Sequence, residues 1–279
     1  MPFAGTFLIA IAAGFIGAAS GMGGGALLIP ALTLCGVDIR SAIAVSVISA
    51  VAVANTAGVT YVRGHLANLK ASAFSEVWGV VGALAGASLT LAVERRWLFI
   101  VCGALFLLVG VGMFLGSRRI VPGRWPLWAS PAPPGREVFA SSYYDRTENQ
   151  TIAYAGQRPW LSALGMVGAG VMAGVLGMGT GALTILVYGL IMRFPPKVAL
   201  TTSHLVVGVM ALASASVYLE AGLLNLSLVV PVVLGAPVGA LLGSAVVVRL
   251  PNRTILLLFL SLIAVLGVHL IVRGVVWGA

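Results

Sequence analysis

The chain has 279 residues, of which 60% are hydrophobic and 8% charged, and it includes 36 glycines. So little polar material cannot wrap a water-soluble core of this size, and lipid must be the solvent for most of the surface. The net charge of +9 is spread over the connections between apolar runs, which argues against nucleic acid as a partner and suits loops on a cytoplasmic membrane face.

Residues 3–20 open the chain as an apolar segment with no basic region before it, unlike a secretory signal, and are read as retained. A glycine run and a second short arm, 25–36, follow. The stretches 41–62, 72–92 and 97–116 then each supply the about 20 apolar residues that a helix needs to cross hydrocarbon. Cys35 and Cys102 lie in or at the end of apolar segments without metal or disulfide spacing, and read as buried free thiols. Residues 117–160 carry Arg118, Arg119, Arg124, Arg136, Arg146 and Arg158, several prolines and no apolar run, and read as an extramembrane linker. Its Trp125, Trp128, Tyr143, Tyr144 and Trp160 suit the headgroup layer, or a neighbouring subunit, which leaves a homo-oligomer open. Beyond the linker come 161–176, 181–192, and the long stretches 198–219, 228–248 and 254–272.

This order is a duplication. The run from Ser20 to Leu27, SGMGGGAL, recurs from Leu176 to Leu183 as LGMGTGAL. After a one-residue adjustment Ser46 falls on Ser203, Tyr61 on Tyr218, Leu66 on Leu223 and Asn68 on Asn225, and Gly82 to Gly86 falls on Gly239 to Gly243. Equivalent loops have opposite charge bias. Arg63 and Lys70 stand where the second copy has Glu220, and Arg193 and Lys197 stand where the first has Asp38 balancing Arg40. By the positive-inside rule the copies are upside down relative to one another, which requires an odd number of membrane segments with the glycine regions contributing hairpins. The arms 25–36 and 181–192 reach only about 18 Å against roughly 30 Å of hydrocarbon.

The predicted fold is therefore an all-α polytopic membrane protein of two inverted-topology repeats, each a short broken or re-entrant helix pair plus three long transmembrane helices. The first repeat occupies 1–116, the linker 117–160 and the second repeat 161–279. With the linker cytoplasmic, both termini face outward.

Irregular backbone at membrane depth is tolerated where protein or water satisfies it, and a helix starting there offers N–H groups and a positive dipole end to an anion. Gly23, Gly24 and Gly25, with Gly179, Thr180 and Gly181, are thus candidates for one central anion site, although such runs also permit tight helix packing. Ser46, Thr202 and Ser203 can add hydroxyl donors, or simply bond back to their own helices. The Asn55 amide needs a partner, a water or a substrate. His204 is a candidate proton carrier or anion ligand, or a neutral histidine bonded to a neighbouring helix. Glu76 can relay protons, but near its helix N-terminus a structural role is favoured. Thr180 in place of Gly24 makes the half-sites unequal. No metal site, cofactor or paired catalytic carboxylates are expected, and an enzyme is the least favoured class.

The chain resembles the sulfite exporter TauE/SafE family, also called the four-toluene-sulfonate uptake permeases. The resemblance is carried by GAASGMGGGALLIP at Gly17 to Pro30, AIAVS at Ala42 to Ser46, RGHLAN at Arg63 to Asn68, LGMGTGAL at Leu176 to Leu183 and ALTTSH at Ala199 to His204. It implies transport of a sulfur-containing anion such as sulfite, thiosulfate, sulfoacetate or another organosulfonate across a bacterial inner membrane, coupled to a proton or another ion. The long linker departs from the family's short central loop. A scaffold that holds a partner through 117–160 is the alternative function, and deleting the linker separates the two.

Overall fold

The structure is a computed structural model that describes residues 3–20, 23–94, 96–101, 103–104, 107, 111, 138–145, 150–177, 181–247, 268, 271–272 and 275. Most of the expected spans 97–116 and 254–272 therefore lie outside the described residues. The elements run α1 (Phe3–Ser20), α2 (Gly25–Leu34), α3 (Ile39–Arg63), α4 (Leu69–Ala92), β1 (Val138–Asp145), β2 (Gln150–Gly156), α5 (Pro159–Leu176), α6 (Gly181–Leu186) continuing into a π-helical turn (Val187–Ile191), α7 (Pro196–Glu220) and α8 (Leu226–Val247). Five of these helices, α3, α4, α5, α7 and α8, are long and apolar enough to cross a membrane.

Local chemistry sets many of the ends. The Asp38 carboxylate accepts from the Arg40 amide and the Asn68 side chain from the Ala71 amide, capping α3 and α4. Pro159 and Pro196 occupy the first turns of α5 and α7, where a missing N–H costs nothing. His65 and Arg193 adopt left-handed backbone at φ 53 and 59, and their counterparts in the duplicated sequence are Gly222 and Gly36, at φ 67 and 85. The same turns recur in both halves, with basic side chains in place of glycine on one side.

Glycines govern the helix packing. Gly235, Gly239 and Gly243 of α8 lie against Phe7, Ile11 and Phe15 of α1, and Gly82 and Gly86 of α4 lie against Val167 and Val171 of α5. Partner numbers rise together, so both pairs are parallel, and each joins a helix of the first half of the chain to one of the second. Spaced every fourth residue, the glycines make a flat stripe on which a neighbouring backbone rests directly. Between these pairs α3 crosses α7 with partner numbers running in opposite senses, Gly58 against Leu205 and Gly208 against Ala54 and Asn55.

Two expectations are corrected. The fold is not wholly helical, because the linker contains an antiparallel hairpin pairing Ser141 with Tyr154 and Tyr143 with Ile152. Its alternate residues Phe139, Tyr143, Ile152 and Tyr154 pack with Leu66, Tyr188, Met192 and Phe194, which supply the apolar surface a two-stranded sheet cannot make for itself. Cys35 is a free thiol but an exposed one, because it is the C-cap of α2 and leaves the core with the chain.

A side chain at Gly82 would overlap the Val167 carbonyl oxygen, which is backbone and cannot swing aside. Gly82→Leu is expected to cost about 1–3 kcal/mol of stability in detergent. Gly168→Ala on the same helix pair, where a Cβ meets nothing within 4 Å, is expected to leave the thermal unfolding midpoint unchanged or slightly raised.

Candidate functional site

The most distinctive geometry lies where α1 ends and α2 begins. Gly23 and Gly24 stand at φ 71 and 77, in the left-handed region that a glycine occupies without strain. Gly24 is the N-cap of α2 and supplies no side chain, so the first-turn N–H groups receive no side-chain acceptor. The Leu27 and Leu28 amides reach back to the Gly24 carbonyl at 3.4 Å each, at the weak end of hydrogen bonding. The turn is tightly walled. A Cβ on Gly24 would stand 3.0 Å from the Ala13 carbonyl oxygen and 3.1 Å from Ser49 Oγ, and one on Gly23 would stand 3.0 Å from Ala50 Cβ and 3.4 Å from Val207 Cγ1. Helices α1, α3 and α7 therefore enclose it.

Ser49 is the residue that reading the sequence missed. It is fully buried and its hydroxyl has no hydrogen-bond partner among the described residues. Its counterpart in the second half is Val206, so the duplication gives it no weight. The one available signal was its position three residues after Ser46, on the same face of α3.

The other hydroxyl candidates are engaged. Ser46 donates to the carbonyls of Ile43 and Gly177, holding the second glycine turn, where Gly177 caps α5 at φ 60. Thr202 Oγ1 accepts the Asn68 amide at 3.0 Å, and Thr201 Oγ1 donates to the Leu66 carbonyl at 2.8 Å, so the two pin the α3–α4 loop to α7. Ser203 donates to Leu200 within its own helix at 2.7 Å. Gly25 and Gly181 are buried at the starts of α2 and α6, whereas Gly179 and Thr180 lie outside the described residues. Asn55 is exposed beside Gly208 and is not brought to the turn. Glu76 is half-buried on α4 and accepts from the Ser72 hydroxyl at 2.6 Å.

His204 is buried with its Nδ1 2.9 Å from the Leu200 carbonyl oxygen, and its Nε2 has no hydrogen-bond partner among the described residues. Tyr61 meets it edge to face, with ring centroids 5.1 Å apart. The Tyr61 hydroxyl is also buried and unpartnered, whereas its counterpart Tyr218 donates to the Gly174 carbonyl at 2.7 Å. Among the described residues no three His, Cys, Asp or Glu side chains gather in a way that could hold a metal ion.

The linker hairpin covers the end of the molecule where α3 stops and α7 begins. Asn68 Nδ2 donates to the Phe139 carbonyl at 2.8 Å and to Tyr154 Oη at 3.2 Å, and the Gln157 amide donates to the Met192 carbonyl. Burial raises the Tyr154 phenol above its ordinary pKa, against the lowering effect of hydrogen bonds from Asn68 and Ser141. The hydroxyl therefore stays protonated across the physiological range.

A mostly helical chain with five apolar membrane-length helices is a multi-pass membrane protein. It belongs to the sulfite exporter TauE/SafE family, whose model matches residues 6–270. It is 21% identical over 283 residues, covering 99% of each chain, to the probable membrane transporter protein YunE of Bacillus subtilis (strain 168). No solved structure matches the chain.

The two serines of α3 make opposite predictions for stability. Ser46→Ala removes the donor to the Gly177 carbonyl and is expected to cost about 1–2 kcal/mol in denaturant unfolding in detergent. Ser49→Ala removes an unpaired buried hydroxyl and is expected to cost nothing measurable in the same assay.

Proposed function

We propose that this protein is a secondary transporter of small sulfur-containing oxyanions, working by alternating access in a bacterial cytoplasmic membrane. The observation that carries the reading is the start of α2, a buried helix N-terminus without a side-chain cap, beside the unpartnered hydroxyl of Ser49. Buried N–H groups and a hydroxyl with no acceptor call for one, and a sulfite, thiosulfate or sulfonate oxygen supplies it. The Gly24–Gly25 amides and Ser49 are the proposed first half of the site. Gly23 is its hinge wall, and Gly179, Thr180 and Gly181 are the proposed second half.

Alternating access is supported by the pattern of helix contacts. The duplicated helices α3 and α7 cross in opposite senses, and the α1–α8 contacts recur at equivalent positions in α5–α4, as an inverted pair of repeats requires. Each glycine turn is walled by a helix from the other half: Val207 of α7 touches the first, and Ile43 and Ser46 of α3 touch the second. Movement of one repeat against the other would thus change both walls of a site between them. The hairpin docks on the side that carries Arg63, Lys70, Arg193 and Lys197, and we assign that face to the cytoplasm.

Counterflow of labelled sulfite and thiosulfate in proteoliposomes tests the reading. Gly24→Val forces a branched residue into left-handed backbone against Ala13 and Ser49, and is expected to abolish flux in protein that still inserts and elutes as a single species. Ser49→Ala is expected to weaken transport about ten- to a hundredfold, the worth of a hydrogen bond to a charged group. Undiminished flux in both variants would count decisively against a site at this turn.

A further inference from the structure

The transport reading leaves unused a buried titratable group beside the same turn. His204 Nδ1 lies 2.9 Å from the Leu200 carbonyl oxygen. A carbonyl has no proton to give, so Nδ1 carries the hydrogen and neutral Nε2 is a bare lone pair. The Ala18 carbonyl is the second backbone acceptor beside this ring, and Nε2 has no hydrogen-bond partner among the described residues.

In the second half Tyr218 donates to the Gly174 carbonyl, and Gly174 is the counterpart of Ala18. By that symmetry Tyr61 ought to donate to Ala18. Instead the His204 ring stands edge to face against Tyr61, and the Tyr61 hydroxyl is left unpartnered. The position equivalent to His204 in the first half is Val47, so the second half alone carries an ionisable ring here.

We infer that His204 is the coupling-proton site of the transporter: Nε2 takes up one proton as the anion binds at the Gly24 turn, and the new N–H donates to the Ala18 carbonyl. The proton comes from the aqueous phase and no other bond is made or broken. This inference rests on the transport reading above. Ala18 is one of the last four residues of α1, whose carbonyls lack helical partners and form the negative end of its dipole, which favours a cation. The aromatic ring of Tyr61 at 5.1 Å is within cation–π range of an imidazolium. The α1 end and the α2 start touch, since a Cβ on Gly17 would overlap the Gly24 amide nitrogen. One turn thus presents its carbonyl end to a proton and its amide end to an anion. The two charges stabilise each other across it in a medium of low dielectric.

Other charges stand away from this pair. Helices α1 and α8 carry no titratable side chain, and on α3 Arg40 and Arg63 occupy the end turns while Tyr61 is in ring contact. On α4 Lys70 lies in the first turn and Glu76 accepts from Ser72, and Tyr188 of the π-helical turn donates to the Ala71 carbonyl. On α7 itself Lys197 lies in the first turn, Tyr218 bonds Gly174 and Glu220 ends the helix.

Thiosulfate is the probe, because it has no group that titrates near neutrality. Binding of thiosulfate to the purified wild-type protein in a weakly buffered dye solution is expected to take up one proton per anion. Its Kd is expected to rise about tenfold per pH unit above neutrality. His204→Gln keeps an amide N–H for the Ala18 carbonyl and is expected to abolish the uptake and flatten the pH dependence. Wild-type protein that binds thiosulfate with no proton uptake overturns the inference whatever the variant does, as does His204→Gln with wild-type uptake. Wild-type protein that neither binds thiosulfate nor supports its counterflow overturns the transport reading as well, and this inference with it.

Discussion

Away from water, every backbone amide and carbonyl must find its partner inside the protein, and most features of this molecule follow from where that is difficult. Along a helix the requirement is met automatically. At helix ends it is not, and here the ends of α1 and α5 and the start of α2 are enclosed by other helices. At the end of α5 Ser46 resolves the difficulty, its hydroxyl answering the Gly177 carbonyl. The turn between α1 and α2 leaves amides, the Ser49 hydroxyl and the His204 Nε2 without such answers among the described residues.

The glycine stripes make this arrangement mechanically possible. Helices in lipid gain little from burying apolar side chains against each other, so close backbone contact and dispersion must hold them. Gly82 and Gly86 against α5, and Gly239 and Gly243 against α1, bring whole helix backbones together across the two halves. The two halves are thereby interleaved: the helix before the first glycine turn packs on a helix of the second half, and the helix before the second packs on a helix of the first.

The hairpin breaks the likeness between the two faces of the molecule. Asn68 and Asn225 are equivalent by sequence, yet among the described residues Asn225 serves its own helix start, bonding Ser227, while Asn68 also holds the hairpin through Phe139 and Tyr154. One face is latched by a folded segment that joins the α3–α4 loop to the loop before α7, and the segment 221–225 on the other has no described counterpart to it.

The sequence by itself determined the membrane class, the recurrence of SGMGGGAL as LGMGTGAL, the apolar helices α1, α3, α4, α5, α7 and α8, and the glycine turn between α1 and α2. Each of these depends on local composition or on a match between distant segments, which a linear reading can see. The predicted segment 3–20 coincides with α1, and 161–176 ends where α5 ends. The hairpin's alternation, Phe139, Ser141, Tyr143 and Ile152, Tyr154, Gly156, was present but obscured by the arginines and prolines of the linker around it. Only the tertiary structure decided which of the candidate hydroxyls lacks a partner among the described residues. Ser46, Ser49, Thr202 and Ser203 are alike as residues, and a hydroxyl's role depends on which carbonyl or amide another part of the chain brings within 3 Å. The same holds for His204, whose bare nitrogen depends on Leu200 on one side and on the end of α1 on the other. Those neighbours are set by helix packing, and no spacing along the chain encodes them.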